Sequence, residues 1–132
     1  MHKFNTHFNV IKYLSFIFFV SVISATEKHT SNLGQLNIPD GFEITIFADE
    51  LNSPRQITET KGGYVIVGSK KGDKIFALHD SDLDGYAEKK ILIANGLQNP
   101  TGVSFYQGDL YFAEIDTIWV IKNIDDWLNK GS

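Results

Sequence analysis

From Phe42 onward the chain consists of short apolar runs separated by Gly, Asn, Asp and Pro. Apolar runs of this kind between turn-forming residues are typical of β-strands, whereas a helix repeats its apolar positions every three to four residues. Helical spacing is missing until the C-terminal tail, where Asp125 and Asp126 are predicted to cap a short helix. The pattern predicts an all-β fold with strands at 42–48, 56–60, 64–68, 74–79, 89–94, 103–106, 110–114 and 118–122.

Part of this pattern occurs twice. The stretch ITIFADELNSP aligns with KILIANGLQNP 46 positions later. At the same offset Gly62 matches Gly108 and Tyr64 matches Leu110, and the offset then falls to 43 where KIFAL aligns with TIWVI. A unit of about 40–50 residues with four short strands is typical of a β-propeller blade. The alternative is a β-sandwich or meander in which the spacing is coincidental.

The repeat predicts roughly the first two blades of an incomplete β-propeller, spanning residues 37–132. Blade one covers about 54–94, with the Pro-led strand innermost and KKILIA outermost, and blade two begins at about 100–122. Residues 123–132 form a short tail. The strand at 42–48 matches an outermost strand, so we expect it to close a ring by joining a last blade.

Two blades leave apolar faces and sheet edges open, because propellers contain about four to eight blades. We therefore expect the chain to be the N-terminal portion of a longer protein whose remaining blades cover these edges. The alternative is a two-blade product, which would need an oligomer to cover them or would be a nonfunctional remnant.

The N-terminus has the pattern of a signal peptide. Lys3 and Lys12 precede an uncharged run from Tyr13 to Ala25 that ends in small residues. This predicts a signal peptide at 1–25, a flexible lead-in at 26–36, and export to the periplasm or the exterior. An uncleaved segment would instead anchor the protein in a membrane. No cysteine is present, so disulfides do not support the fold.

Charge and composition exclude some functions. The chain is 42% hydrophobic and 13% aromatic, which is typical of a folded domain. Its formal charge is −4, and removal of the two N-terminal lysines makes it more negative. A nucleic-acid-binding protein would show a basic patch, so we expect no nucleic-acid partner.

The stretch DSDLDGYAE between two predicted strands is a candidate calcium loop. Calcium binds six to eight oxygen atoms, which alternate carboxylates on a tight turn can supply. The candidate ligands are Asp80, Asp82, Asp84, the Tyr86 carbonyl and Glu88. An EF-hand would need a glutamate at the twelfth loop position and flanking helices, which this chain lacks. The alternative is a solvated acidic turn, since Asp and Gly also favour turns for conformational reasons.

Arg55 is the candidate ligand-binding residue. It follows Pro54 at the start of the predicted innermost strand, where propeller side chains point into the channel. A guanidinium in such a channel is suited to binding a carboxylate. The alternative is a surface arginine at a strand end.

The order of motifs resembles secreted glucose/sorbosone dehydrogenase-like proteins. The resemblance covers residues 36–121 and includes Pro54-Arg55-Gln56, the D-x-D-x-D-G loop and Pro100-Thr101-Gly102-Val103. It implies a six-bladed propeller that oxidises a sugar with pyrroloquinoline quinone (PQQ) and calcium, with Arg55 near the anionic quinone. Threonine at 101 replaces the usual asparagine, so no contact is assigned to it. The family's catalytic histidine comes from later blades, and no catalytic residue is assigned here.

The sequence therefore supports two functions. One is the N-terminal part of an exported PQQ-dependent sugar or aldose dehydrogenase, which transfers hydride from the sugar to the quinone and is inactive as this chain alone. The alternative is a non-catalytic, calcium-stabilised propeller that binds a protein or glycan, because a fold does not decide its function.

Overall fold

The computed structural model describes residues 33–131. The predicted signal peptide and residues 26–32 of the lead-in lie outside this range. The described part contains two antiparallel sheets, a short 3₁₀ helix at Leu33–Gln35 and one α-helix, α1, at Ile124–Asn129. The strands are β1 Pro54–Glu59, β2 Val65–Ser69, β3 Ile75–His79, β4 Lys89–Ala94, β5 Gly102–Tyr106, β6 Asp109–Ala113 and β7 Ile118–Ile121.

The order of strands agrees with the sequence pattern. Sheet one runs β1-β2-β3-β4 and sheet two runs β5-β6-β7, with consecutive strands hydrogen-bonded in each. All seven strands predicted after residue 55 are found, and β4 has the predicted bounds. No helix in the described range is long and apolar enough to cross a membrane.

The segment predicted as a blade-closing strand, residues 42–48, pairs with no strand within residues 33–131, and its pairing with a last blade stays a prediction. This segment belongs to neither sheet, and one of its few backbone bonds joins the Ala87 N–H to the Phe47 carbonyl at 2.8 Å. Its apolar pattern suits a strand, but strand structure also requires a neighbouring edge to pair with. The segment instead lies against a face of sheet one through Phe47 and Ala48.

Sheet one is covered on both faces, which explains why β2 is apolar throughout. Ile66 and Ala77 on one face are fully buried together with residues of sheet two. Val67 and Leu78 on the other face are covered by Phe47 and neighbouring residues. A strand buried on both faces has no polar side to alternate with.

The two sheets also make hydrogen bonds to each other. The Ser69 N–H donates to the Pro100 carbonyl at 2.8 Å. The Gln56 side-chain amide donates to the Val103 carbonyl at 3.0 Å. Nearby, the Phe105 N–H donates to the Thr58 hydroxyl at 3.1 Å. These bonds satisfy polar groups where β1 and β5 approach each other, and they fix how the sheets stack.

Helix α1 packs onto the shared core. Ile124 and Leu128 are buried in the same cluster as the two sheets. The predicted capping role of Asp125 and Asp126 is wrong: both lie inside the first turn, and the residue before the helix is Asn123, whose side chain makes no capping bond. Asp125 instead accepts a hydrogen bond from the Gly62 N–H at 3.2 Å, which ties the helix to the β1–β2 turn.

The backbone conformation repeats at the same spacing as the sequence pattern. Left-handed residues recur at equivalent positions of the two units, and such residues are uncommon outside glycine. The matching pairs are Glu50 and Gly96 (φ 52° and 70°), Ser53 and Asn99 (51° and 50°), and Gly63 and Gly108 (79° and 93°). The first two pairs lie 46 positions apart and the third lies 45 apart. The predicted match of Gly62 with Gly108 is therefore wrong by one residue.

This one-residue difference decides which side chains are equivalent. Val67 pairs with Phe76 across β2 and β3, and Phe112 pairs with Trp119 across β6 and β7. Val67 therefore matches Phe112, whereas the predicted offset matched Ile66 to it. Since strand side chains alternate between faces, a shift of one residue exchanges the faces.

Candidate metal centre

Residues 80–88 form the hairpin loop between β3 and β4, which closes where His79 pairs with Lys89. Within the described range this loop gathers four acids: Asp80, Asp82, Asp84 and Glu88 each place an oxygen atom within 4.8 Å of the others. The four acids predicted as side-chain ligands are thus brought together.

Asp80 organises the backbone of the loop. One of its carboxylate oxygens accepts from the Leu83 N–H at 2.7 Å, and the other accepts from the Gly85 N–H at 2.9 Å. Leu83 and Gly85 both have positive φ, 60° and 90°, which bends the chain around the carboxylate. Glycine adopts this conformation without steric cost, so the Asp-Gly pattern determines the turn locally.

The second half of the loop is held by Glu88. Its carboxylate accepts from the Ser81 N–H at 3.0 Å and from the Ser81 hydroxyl at 3.1 Å. The Ser81 N–H, together with the backbone N–H of Glu88 itself, lowers the pKa of Glu88 to about 2. The pKa of Asp82 is raised above its ordinary 3.8, mainly by a hydrogen bond with Glu88 and to a smaller extent by desolvation. Two carboxylates this close share a proton in acid, and ionising both leaves repulsion that a cation would relieve.

The spacing of the oxygens suits calcium. Calcium–oxygen distances are about 2.3–2.6 Å, so ligands on opposite sides of the ion lie about 5 Å apart, and the observed limit is 4.8 Å. Bonds from backbone N–H groups leave further lone pairs on each carboxylate. The Tyr86 carbonyl stays a predicted ligand, while the Tyr86 hydroxyl donates to Asp49 at 3.2 Å.

The loop is attached to the segment before β1. Besides the bond from Tyr86 to Asp49, the Ala87 N–H donates to the Phe47 carbonyl at 2.8 Å. Lys90 also lies 3.6 Å from the Glu50 carboxylate. Sequence reasoning missed this connection, and it missed Ser81 as the partner of Glu88. The acidic Asp49-Glu50 pair was visible in the sequence, but nothing there indicated its neighbours.

Arg55 lies far from this loop. It is exposed in β1, which is one of the two edge strands of sheet one. Pro54 pairs with Ser69, at the end of β2 remote from Val65, while Val65 pairs with Leu78 next to the loop. Arg55 therefore sits at the other end of the sheet, and the structure does not join the two predicted sites.

Comparison with known proteins gives a distant relative. The chain is 32% identical over 129 residues to an uncharacterized protein of Borreliella burgdorferi. The match covers 96% of the chain and 31% of that protein, so the chain spans just under a third of its relative's length. No family model matches the chain, and no solved structure matches it significantly.

Proposed function

We propose that the loop at 80–88 binds calcium and stabilises the hairpin that carries it. The observation behind this is the gathering of four carboxylates around a space of calcium size. Without a cation, three ionised aspartates and a glutamate would repel one another in one turn. Calcium offsets this repulsion and uses the oxygen ligands that it prefers.

Calcium bound here acts structurally. It holds Tyr86 and Ala87, which contact Asp49 and Phe47. Phe47 in turn covers Val67 and Leu78 on sheet one. Binding at the loop therefore stabilises the packing of the preceding segment on the sheet, because any ligand that prefers the folded state raises its stability.

Calcium binding is tested by terbium luminescence and calorimetry on the wild type and on Asp82→Asn. We expect the wild type to bind calcium and the variant to have an affinity lower by about tenfold or more, since fewer charged ligands lower calcium affinity. Asp126→Asn, an exposed acid in α1, is the control and should bind as the wild type does. Acidification should weaken binding from a pH above 3.8, because Asp82 then takes up a proton. Equal, negligible binding by all three proteins would identify the loop as a solvated turn.

We also propose that the two sheets are consecutive blades of a β-propeller in an exported protein. The repeated positive-φ positions support this proposal, as does the consecutive strand order of each sheet. The free edges β1 and β5 lie side by side, as the innermost strands of neighbouring blades would. Remaining blades or an oligomer would then cover the open faces.

For the complete protein we propose oxidation of a sugar or aldose by PQQ, with Arg55 contacting the quinone. Arg55 is exposed on the free edge β1 and, within residues 33–131, forms no ion pair. A guanidinium so placed is available for one of the quinone carboxylates. The resemblance described above supports the identity of the cofactor, and the calcium loop is remote from this position.

PQQ binding by the native gene product tests this role. Arg55→Ala should weaken binding about tenfold or more, as charge-assisted hydrogen bonds contribute about 1.5–3 kcal/mol. Lys71→Ala, an exposed cation at the β2–β3 turn, should have no effect. Unchanged affinity in Arg55→Ala would remove Arg55 from the site. If the wild type binds no PQQ, the non-catalytic binding module becomes the better proposal.

A further inference from the structure

Sheet two has an open outer edge where sheet one is complete. In sheet one, β3 pairs on its outer side with β4. The equivalent strand of sheet two is β7, and no strand of residues 33–131 pairs with its outer side. Unpaired N–H and C=O groups along such an edge are a template for another strand.

A strand of the matching type lies elsewhere in the chain. Residues 44–48, ITIFA, align with KILIA, the last five residues of β4, 46 positions later. The conformations agree too, since Glu50 and Gly96, which follow the two stretches, both have positive φ. Yet residues 42–48 belong to neither sheet. Residues 33–131 of one copy thus contain both a segment with the pattern of an outermost strand, outside the sheets, and a sheet edge that has no partner strand within this range.

These two features cannot pair within one copy. Phe47 lies on the face of sheet one that carries Val67 and Leu78. Sheet two packs on the opposite face, against Ile66 and Ala77. Sheet one therefore stands between residues 42–48 and β7 of the same copy, so this segment cannot complete sheet two of its own copy.

We propose that residues 43–48 of one copy pair antiparallel with β7 of a second copy, completing its sheet two. The pairs follow from the β3–β4 register and the repeat offsets. They are Ala48 with Ile118, Ile46 with Trp119, Thr45 with Val120, Ile44 with Ile121, and Glu43 with Lys122. In the last pair Glu43 joins Lys122, which follows β7 and forms an ion pair with Asp109 at 2.6 Å, and opposite charges opposite each other favour this register over a shifted one.

The same contact covers exposed apolar side chains. Ile118 and Val120 of β7 are 77% and 45% exposed. Their equivalents in sheet one at an offset of 43, Ile75 and Ala77, are fully buried against sheet two. Strand pairing would bring the face of sheet two that carries Ile118 and Val120 towards the face of sheet one in the other copy that carries Val67 and Leu78. It would thereby repeat between molecules the stacking seen within one, as a head-to-tail contact.

Disulfide cross-linking tests the proposed register, because the chain has no cysteine of its own. Thr45→Cys and Val120→Cys are prepared separately in the full-length chain, mixed in mild detergent and oxidised. Both positions are exposed, so both variants should fold. Directly opposite residues of antiparallel strands are about 4.5–5.5 Å apart, which is within reach of a disulfide. We expect a cross-linked dimer from this mixture.

Thr45→Cys mixed with Leu83→Cys is the control, since Leu83 is 87% exposed on the calcium loop and away from β7. A selective cross-link between positions 45 and 120, with a wild-type mass above the 14.8 kDa of one chain, supports the proposal. Equal yields in both mixtures, or a single-chain mass at every concentration, overturn it. The proposal rests on the repeat and not on the metal. The selectivity of the cross-link decides this proposal, whereas terbium luminescence decides calcium binding, so the two outcomes are read separately.

Discussion

Replacing Ile66 by alanine should lower the free energy of unfolding by about 2–5 kcal/mol. Ile66, the second residue of β2, is fully buried in the cluster that joins both sheets and α1. Removing three carbons there loses hydrophobic burial and leaves a cavity between sheets that hydrogen bonds such as Ser69 to Pro100 hold in place. The change is measured by urea unfolding followed by tryptophan fluorescence, since Trp119 and Trp127 belong to sheet two and α1.

Ile57→Ala is the matched control for this prediction. Ile57 is also an isoleucine in sheet one, but it is 65% exposed in β1. We expect its replacement to cost less than about 1 kcal/mol, the range of strand propensities. If both variants lose equal stability, the two sheets do not share a core centred on Ile66.

Gly68→Ala should also destabilise the protein, by about 1–3 kcal/mol, through overpacking. A Cβ atom on Gly68 would stand 2.7 Å from the carbonyl oxygens of Pro100 and Thr101. Both are backbone atoms, so the link into β5 would have to move away from β2. The Ser69–Pro100 hydrogen bond beside it would then weaken. Thermal unfolding monitored by circular dichroism measures the effect.

Gly102→Ala serves as the control for Gly68→Ala. Gly102 begins β5, and the nearest atom to an added Cβ there is the Ala113 side chain at an ordinary 3.5 Å. This substitution should be neutral or slightly stabilising, because alanine has fewer unfolded conformations than glycine. A Gly68→Ala protein as stable as Gly102→Ala would show that the sheets are not in close backbone contact at this point.

The acidic loop at 80–88 shows how much of a candidate site local sequence can predict. The four carboxylates lie within nine consecutive residues, and hydrogen bonds within the loop, such as that from the Gly85 N–H to Asp80, bring them together. The attachment to residues 47–50 could not be predicted. Tyr86 and Asp49 are 37 positions apart and meet only because the preceding segment crosses the face of sheet one.

Residues 42–48 show the limit of a strand pattern. The apolar spacing gives the segment a preference for extended structure, but pairing depends on an edge elsewhere. Within residues 33–131 the segment lies beside a sheet face through Phe47. Arg55 is a second example of this limit. Its place at the start of a strand could be predicted from the sequence. Its exposure at a free edge depends on which strands neighbour β1, and the quinone contact stays a prediction.

The sequence by itself determined the all-β class, seven strands, their order within each sheet and the acidic cluster, because alternation, turn residues and short hairpins act over a few neighbours. Tertiary structure decided that Val67 matches Phe112 at an offset of 45. In sequence, apolar residues of β2 can be aligned with those of β6 at 45 or at 46 positions, but the two alignments match side chains on opposite faces of the sheets. It also decided the stacking of the sheets through Gly68 and Pro100 and the placing of the acidic loop against Phe47 and Asp49. These contacts join residues distant in the chain, and their geometry exists only once the two sheets have packed.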